Sequence, residues 1–269
     1  MPKTILITGA TDGLGLETAR SLSQDGHRLL LHGRSADKLA RAAAAMSGPV
    51  QTYSADLSDL EAVEIFAAQV IAAHDHLDVL INNAGVYKTA TRRAATGEDI
   101  RFLVNTVAPY LLTHRLLPLL GKTGRVVNLS SAAQARMDLD ALAGARPMDA
   151  MAAYAQSKLG ITIWTRAMAE AHPDGPAFFA VNPGSLLATK MVKEGFGMSG
   201  NNIGIGVDIL KRVALSDEFA GRSGAYFDND SGRFAALDPA AQDPSQVNGL
   251  MDVLAGYLAG SGQKHGGTV

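Results

Sequence analysis

No cysteine occurs anywhere in the 269 residues. Its absence removes disulfides, thiolate nucleophiles and cysteine-based metal sites together, and it agrees with a cytoplasmic protein. Charge of either sign is also scarce in excess. With 24 basic and 26 acidic side chains the net charge is −2, and no basic block interrupts the chain, so nucleic acid is not an expected partner. No apolar run approaches the ~20 residues that a membrane-spanning helix requires, so no membrane partner is expected. The first strand-like run, Thr4-Ile5-Leu6-Ile7-Thr8, begins almost at Met1 and leaves no space for a signal peptide; a soluble, unexported chain is expected. The seven histidines form no His-x3-His pair and no His-Glu-x-x-His motif, so no metal site is expected. There is no Gly-x-Ser-x-Gly elbow, which argues against an α/β-hydrolase, and no internal repeat.

What is present has a globular balance, 47% apolar and 19% charged. Short β-rich runs at 3–8, 28–32, 50–53, 78–81, 124–129, 176–181 and 224–227 alternate with helical patterns near 14–25, 36–46, 59–73, 97–120, 151–172 and 206–216. That rhythm predicts an α/β fold, a single-domain, Rossmann-like doubly wound parallel sheet of about seven strands with helices on both faces. Continuous apolar runs such as Val79-Leu80-Ile81 fit strands buried on both sides. Three stretches break the rhythm. Residues 132–150 form an alanine-rich insert; 185–205 are glycine-rich and read as a mobile flap; 260–269 read as a flexible tail after one domain over 1–259.

Two local patterns carry chemistry. In Tyr154-Ala155-Gln156-Ser157-Lys158 the phenol and the ammonium stand one helical turn apart, on one face. A tyrosine titrating near pH ~10 is a poor acid/base group at neutral pH, and a neighbouring cation is expected to lower it. Immediately after the first strand comes Thr8-Gly9-Ala10-Thr11-Asp12-Gly13-Leu14-Gly15, leading into a helix. Gly9 serves the tight turn, Gly13 lets backbone amides approach a pyrophosphate, and Gly15 allows close helix–sheet packing. The positive helix terminus then faces the phosphates.

The spacing Gly-x3-Gly-x-Gly resembles the short-chain dehydrogenase/reductase family, and further matches follow in order. Asp56-Leu57 is similar to its adenine-contacting pair, and Asn82-Asn83-Ala84-Gly85 to its Asn-Asn-Ala-Gly motif. Val126-Val127-Asn128-Leu129-Ser130-Ser131 is similar to the strand ending in a catalytic serine, and Tyr154 and Lys158 to its Tyr-x3-Lys. Pro183-Gly184 through Thr189 resembles its nicotinamide segment. The resemblance spans about residues 3–228. It implies cofactor contacts from Gly9, Thr11, Asp12, Gly13, Leu14 and Gly15, from Asn83, Ala84 and Gly85, and from Tyr154, Lys158, Pro183, Gly184 and Thr189. It also implies catalytic roles for four residues. Tyr154 would exchange the proton, Ser131 would bind the reacting oxygen, Lys158 would tune Tyr154 and hold the ribose, and Asn105 would hold a water linking Lys158 to solvent.

At the end of the second strand, where a carboxylate would bind the ribose of NAD, the chain has His32-Gly33-Arg34-Ser35. The Arg34 fork suits a 2′-phosphate, so NADP(H) is favoured, with NAD(H) as the alternative. Asp12 is a mild counter-signal. The long serine-to-tyrosine insert, with Ser157-Lys158-Leu159, resembles the retinol-dehydrogenase-like and WW-domain-oxidoreductase-like branch, and it is expected to line the pocket mouth. Leu186, Leu187, Met191, Val192, Phe196 and Met198 in the flap suit an apolar ketone, aldehyde or alcohol, or merely close the flap. The expectation is therefore an oxidoreductase moving a hydride between NADP(H) and a small carbonyl or alcohol. The alternative is a cofactor-binding regulatory or scaffold protein without turnover. The resemblance further implies a homo-oligomer, dimer or tetramer. Ala152, Ala153, Leu159 and Trp164 would serve either an interface or the core.

Overall fold

Seven short β-rich runs become parallel strands: β1 (Thr4–Ile7), β2 (Arg28–Gly33), β3 (Val50–Ser54), β4 (Val79–Asn82), β5 (Arg125–Leu129), β6 (Ala177–Asn182) and β7 (Tyr226–Asp228). An eighth, β8 (Arg233–Ala235), returns antiparallel to β7. The structure, a computed structural model, describes residues 1–197 and 199–263. The sheet order is β3-β2-β1-β4-β5-β6-β7-β8. The direction of winding reverses between β1 and β4, and the crevice outside the strand ends at such a reversal is where α/β sheets bind ligands.

Alternation along each strand explains why the runs are apolar without a polar face. Leu6, Leu80, Val126 and Phe178 are in register and point into one core, whereas Ile7, Ile81, Val127 and Phe179 point into the other. Both faces of the central strands are buried, so their middle positions are mostly apolar; the edge strand β3, with Gln51 and Thr52 exposed, is not. The second core is covered by α1 (Gly13–Gln24), α2 (Ala36–Ala44) and α9 (Ile203–Leu215). The first lies beneath α3 (Leu60–Ala73), α5 (Ala108–Leu120), α7 (Ala150–Ala171) and α10 (Pro244–Gln263). The helix expected from residue 97 starts later, as α4 (Ile100–Phe102), and passes through a π-helical turn over Leu103–Val107 before α5.

Three helices have no counterpart in the sequence reading. Within the insert, α6 (Leu139–Leu142) starts on the Asp138 cap. Inside the expected mobile flap, α8 (Lys190–Phe196) starts on Thr189, whose hydroxyl accepts from Val192 N at 3.3 Å, and stops at left-handed Gly197. The longest is α10, whose glycines dilute its helical pattern. Gly249 is there for contact, since a Cβ would lie 2.3 Å from Leu139 Cδ1. Leu250 and Leu254 are fully buried in the first core, and packing of that stripe holds a helix that propensity alone would not. This helix runs to Gln263, through the start of the expected tail; 264–269 and Met198 lie outside the described residues. Ala153, Leu159 and Trp164 are enclosed within the chain, which decides core over interface for them. Among the described residues no helix is long and apolar enough to cross a membrane.

Candidate active site

Strand ends β1 and β4 meet at the glycine turn. Gly9 (φ +66°) and Gly13 (φ +51°) adopt left-handed conformations that other residues resist. Asn83 ties the turn to β4, donating from Nδ2 to the carbonyls of Thr8 (2.8 Å) and Gly9 (3.1 Å), while Ala84 N donates to Thr8 Oγ1 at 3.0 Å. Gly15 packs into that junction, where a Cβ would sit 2.4 Å from both Asn83 Nδ2 and Gly9 O. Gly15→Ala is therefore expected to expel Asn83 and to cost ~1–3 kcal/mol, as overpacking does. Thermal denaturation measures it; an unchanged midpoint would refute the assigned packing.

At the start of α1, Asp12 Oδ1 accepts from Gly13 N at 2.8 Å. The first i→i−4 bond runs from Leu16 N to Asp12 O, leaving the amides of Leu14 and Gly15 without helical partners at the cleft. Across the cleft lies Thr189, whose Cγ2 would be 3.6 Å from a Cβ on Gly13. Arg34 and Lys38 are exposed on the cleft wall, and among the described residues neither has an ion-pair partner. Asp56 lines the same end, its carboxylate accepting from Ser58 N (2.9 Å) and Oγ (2.8 Å), with Leu57 buried beside it. His32, buried and held neutral by burial with its pKa lowered to about 4, accepts from Gly9 N at 3.3 Å. Its other ring nitrogen lies 3.1 Å from Ala55 O, so one ring joins the turn to the end of β3. The sequence reading passed over it, since a histidine in a strand carries no signal of its own.

Asp149 caps α7 through Met151 N and Ala152 N, both at 3.0 Å, and so fixes the helix that carries Tyr154 and Lys158. Lys158 Nζ donates to the carbonyl of Leu129 at 2.7 Å and lies 5.7 Å from the Tyr154 ring centroid. The Tyr154 phenol hydrogen-bonds Ser131. Ser130 turns the other way, with Oγ 2.9 Å from Lys158 O and 2.8 Å from Thr162 Oγ1. The electrostatics depart from expectation. Burial pushes the Tyr154 phenol up, and only the Ser131 hydrogen bond acts against it. Burial also draws the Lys158 ammonium down to about 8. Within the chain alone, desolvation of both groups outweighs their mutual attraction.

Asn105 sits in the π-helical turn, fully buried. Its Nδ2 donates to Val86 O (3.0 Å) and Ser157 Oγ (2.9 Å), and its Oδ1 accepts from Val86 N at 2.8 Å. Both amide protons are thus committed, and the side chain clamps the segment after β4 rather than offering them to a water. Gly85 lies beside it; a Cβ there would be 3.4 Å from Lys158 Nζ.

The segment from Pro183 to Thr189 is held by the β7–β8 turn, which the sequence reading did not assign. Asn229 Nδ2 donates to Pro183 O (3.0 Å), Asp230 accepts from Ser185 N (2.8 Å), and Asn182 Nδ2 donates to Asp228 (2.8 Å). Gly184 has φ +123°. The glycine turn, Arg34, Asp56, Ser131, Tyr154, Lys158 and the segment from Pro183 to Thr189 line one cleft of about 1780 Å³, with Asn105 and the β7–β8 turn behind it. The insert mostly does not. Only Ala132 and Ala133 of it reach the described wall before Met151. Met137 N and Asp138 N instead donate to Gln246 and Gln156, both at 2.8 Å, so the insert docks on α10 and α7. Residues 86–100 and Tyr257 of α10 take the wall position expected of it. Leu186, Leu187, Met191 and Val192 line the flap side, with Leu187 and Val192 largely buried as well.

Residues 3–198 match the family model of the short chain dehydrogenases, and the chain belongs to that family. Within it, the chain falls in the retinol-dehydrogenase-like branch. It is 36% identical to mouse (Mus musculus) retinol dehydrogenase 11 over 194 residues, 68% of this chain and 61% of that protein. With human (Homo sapiens) retinol dehydrogenase 13 it shares 31% over 267 residues, 90% of this chain and 80% of that protein. A crystal structure of an uncharacterised protein from Mycobacterium paratuberculosis superposes with a TM-score of 0.74 at 28% identity, covering 96% of this chain and 93% of that one. A metagenomic short-chain oxidoreductase in complex with NADP superposes with a TM-score of 0.61 at 29% identity, covering 79% and 90%.

Proposed function

We propose that the protein is an NADP(H)-dependent oxidoreductase acting on an apolar carbonyl or the corresponding alcohol. The observation that carries this reading is the convergence of Tyr154, Ser131 and Lys158 on one wall of the cleft whose other end is the glycine turn. The residues fit a dinucleotide. Among the described residues Leu14 and Gly15 present amides without hydrogen-bond partners and Arg34 and Lys38 offer cations without ion-pair partners for a 2′-phosphate, while Gly13 and Gly85 keep the cleft clear of side chains. When bound, the cofactor supplies the hydride.

The chain's own residues handle the proton. Burial keeps the Tyr154 phenol protonated at neutral pH, so it is loaded to donate to a carbonyl oxygen as that oxygen gains charge. Ser131 hydrogen-bonds the phenol and would bind the same oxygen. Lys158, anchored on Leu129 O, keeps two further N–H groups for the ribose and the phenol. Asn105 holds Val86 in place beside Lys158. Met151, Leu186, Met191 and Val192 supply an apolar lining, and the relatives named as retinol dehydrogenases agree with an apolar alcohol or aldehyde. Cytoplasmic residence and self-association belong to the same reading, and self-association would use faces other than the enclosed Ala153, Leu159 and Trp164.

The test is oxidation of NADPH with a panel of apolar aldehydes and ketones, alongside NADPH binding. Turnover with several of them is expected. Tight binding with no turnover across the panel would instead favour a cofactor-binding regulator.

A further inference from the structure

The residue after Val86 is held on three sides. Its backbone is fixed by buried groups: Asn105 binds both Val86 N and Val86 O, and Arg101 donates to Tyr87 O at 3.2 Å. Arg101 is itself 1% exposed and paired with Asp99 at 2.5 Å. The Tyr87 ring meets Tyr154 edge to face, centroids 5.4 Å apart and planes at 65°. From the flap, α8 approaches so closely at Gly195 that a Cβ would lie 2.9 Å from Tyr87 Cδ1 and 3.0 Å from Cε1. Beside it Lys88 Nζ donates to Glu194 O at 3.0 Å.

Gly195 lies inside α8 and is not among the residues with positive φ, so its backbone does not require glycine. In a helix interior glycine costs ~1 kcal/mol relative to alanine. The missing Cβ is therefore explained by the approach to Tyr87. If a methyl is added, one side must yield. Tyr87 hangs from buried hydrogen bonds, whereas the Lys190–Glu194 pair of α8 is more than half exposed and contributes little. The helix yields.

We propose that the Gly195–Tyr87 contact sets the width of the substrate end of the cleft, and that Tyr87 is a positioning residue for the Tyr154 ring. Gly195 is then a determinant of substrate size. The proposal rests on the carbonyl–alcohol reaction given above.

The experiment compares the full chain, Gly195→Ala, Tyr87→Ala and the double variant. Kinetics use NADPH with straight-chain and branched aldehydes of increasing bulk. Binding of NADPH is followed by its fluorescence, and hydrogen exchange over 190–197 is measured without substrate. Gly195→Ala is expected to raise the ratio of kcat/KM for bulky over slender aldehydes by about fivefold or more, a typical coupling between touching residues. In the Tyr87→Ala background that effect disappears. Tyr87→Ala alone lowers kcat more than it changes KM, and NADPH affinity stays within about twofold. Exchange over 190–197 speeds up in Gly195→Ala, against the helix preference of alanine, and returns in the double variant. Additive effects, or an unchanged size ratio, overturn the proposal. Should no aldehyde be turned over by any form, the reaction itself is refuted, and the exchange measurement still decides the contact: unchanged exchange in Gly195→Ala overturns it.

Discussion

Tyr154→Phe is expected to lower turnover by roughly 10²–10⁴-fold, the range spanned by positioned acid/base groups, while leaving NADPH affinity nearly unchanged. The ring is packed on Tyr87 and stands above Lys158, and phenylalanine keeps both contacts. Only the hydroxyl is lost, with the hydrogen bond to Ser131. None of the cofactor-facing amides of the glycine turn depends on it. Burial holds the phenol protonated, while Lys158, drawn down to about 8, still carries most of its charge at neutral pH. In the proposed reaction the acid is the proton of that phenol, and a phenyl ring cannot supply it. Single-turnover oxidation of NADPH measures the loss free of product release. A variant retaining more than about a tenth of the rate would sink the acid/base assignment.

Arg34→Ala is expected to weaken NADPH binding by about 10–100-fold and NADH binding by little. A hydrogen bond to a charged group contributes ~1.5–3 kcal/mol, and a factor of ten is ~1.4 kcal/mol. Arg34 is exposed at the end of β2, and among the described residues no carboxylate is paired to it, so its charge is available to a 2′-phosphate. Lys38 on α2 lines the same end and leaves a partial site behind, which keeps the loss below what removal of both cations would bring. Asp12 faces the other direction in charge, but it is occupied as the cap of α1. Titration of both nucleotides against the variant and the parent chain measures the difference. Equal losses for NADPH and NADH would remove the 2′-phosphate role from Arg34.

Where residue type is tied to a local backbone need, the chain was legible. Gly9 and Gly13 adopt the left-handed turn that a glycine spacing announces, and Tyr154 and Lys158 share a face because helical geometry leaves no alternative. Parallel strands read as unbroken apolar runs because both faces are buried, and their bounds fell within a residue or two of the sheet. Elements held by distant contacts were not legible. The helix α10 contains Gly249, Gly256 and Gly260 and is stabilised by Leu250 and Leu254 packing on α7, a partner some 90 residues earlier in the chain by rough count. β8 has three residues and exists by pairing with β7. The insert looked like a pocket wall because it interrupts the chain next to Tyr154, yet Gln246 and Gln156 draw its backbone elsewhere.

The amino-acid sequence by itself determined the parallel α/β rhythm, the nucleotide turn, the Tyr154–Lys158 pair and the cationic end of β2. Each depends on spacing within a few residues, and backbone geometry converts such spacing into position without help from the rest of the molecule. Tertiary structure alone decided which side chains surround those groups. It committed Asn105 to Val86, gave the pocket wall to residues 86–100, and brought Gly195 against Tyr87. It also set the net shift of Tyr154 upward, opposite to the expected direction, because burial of the phenol is a property of the whole fold.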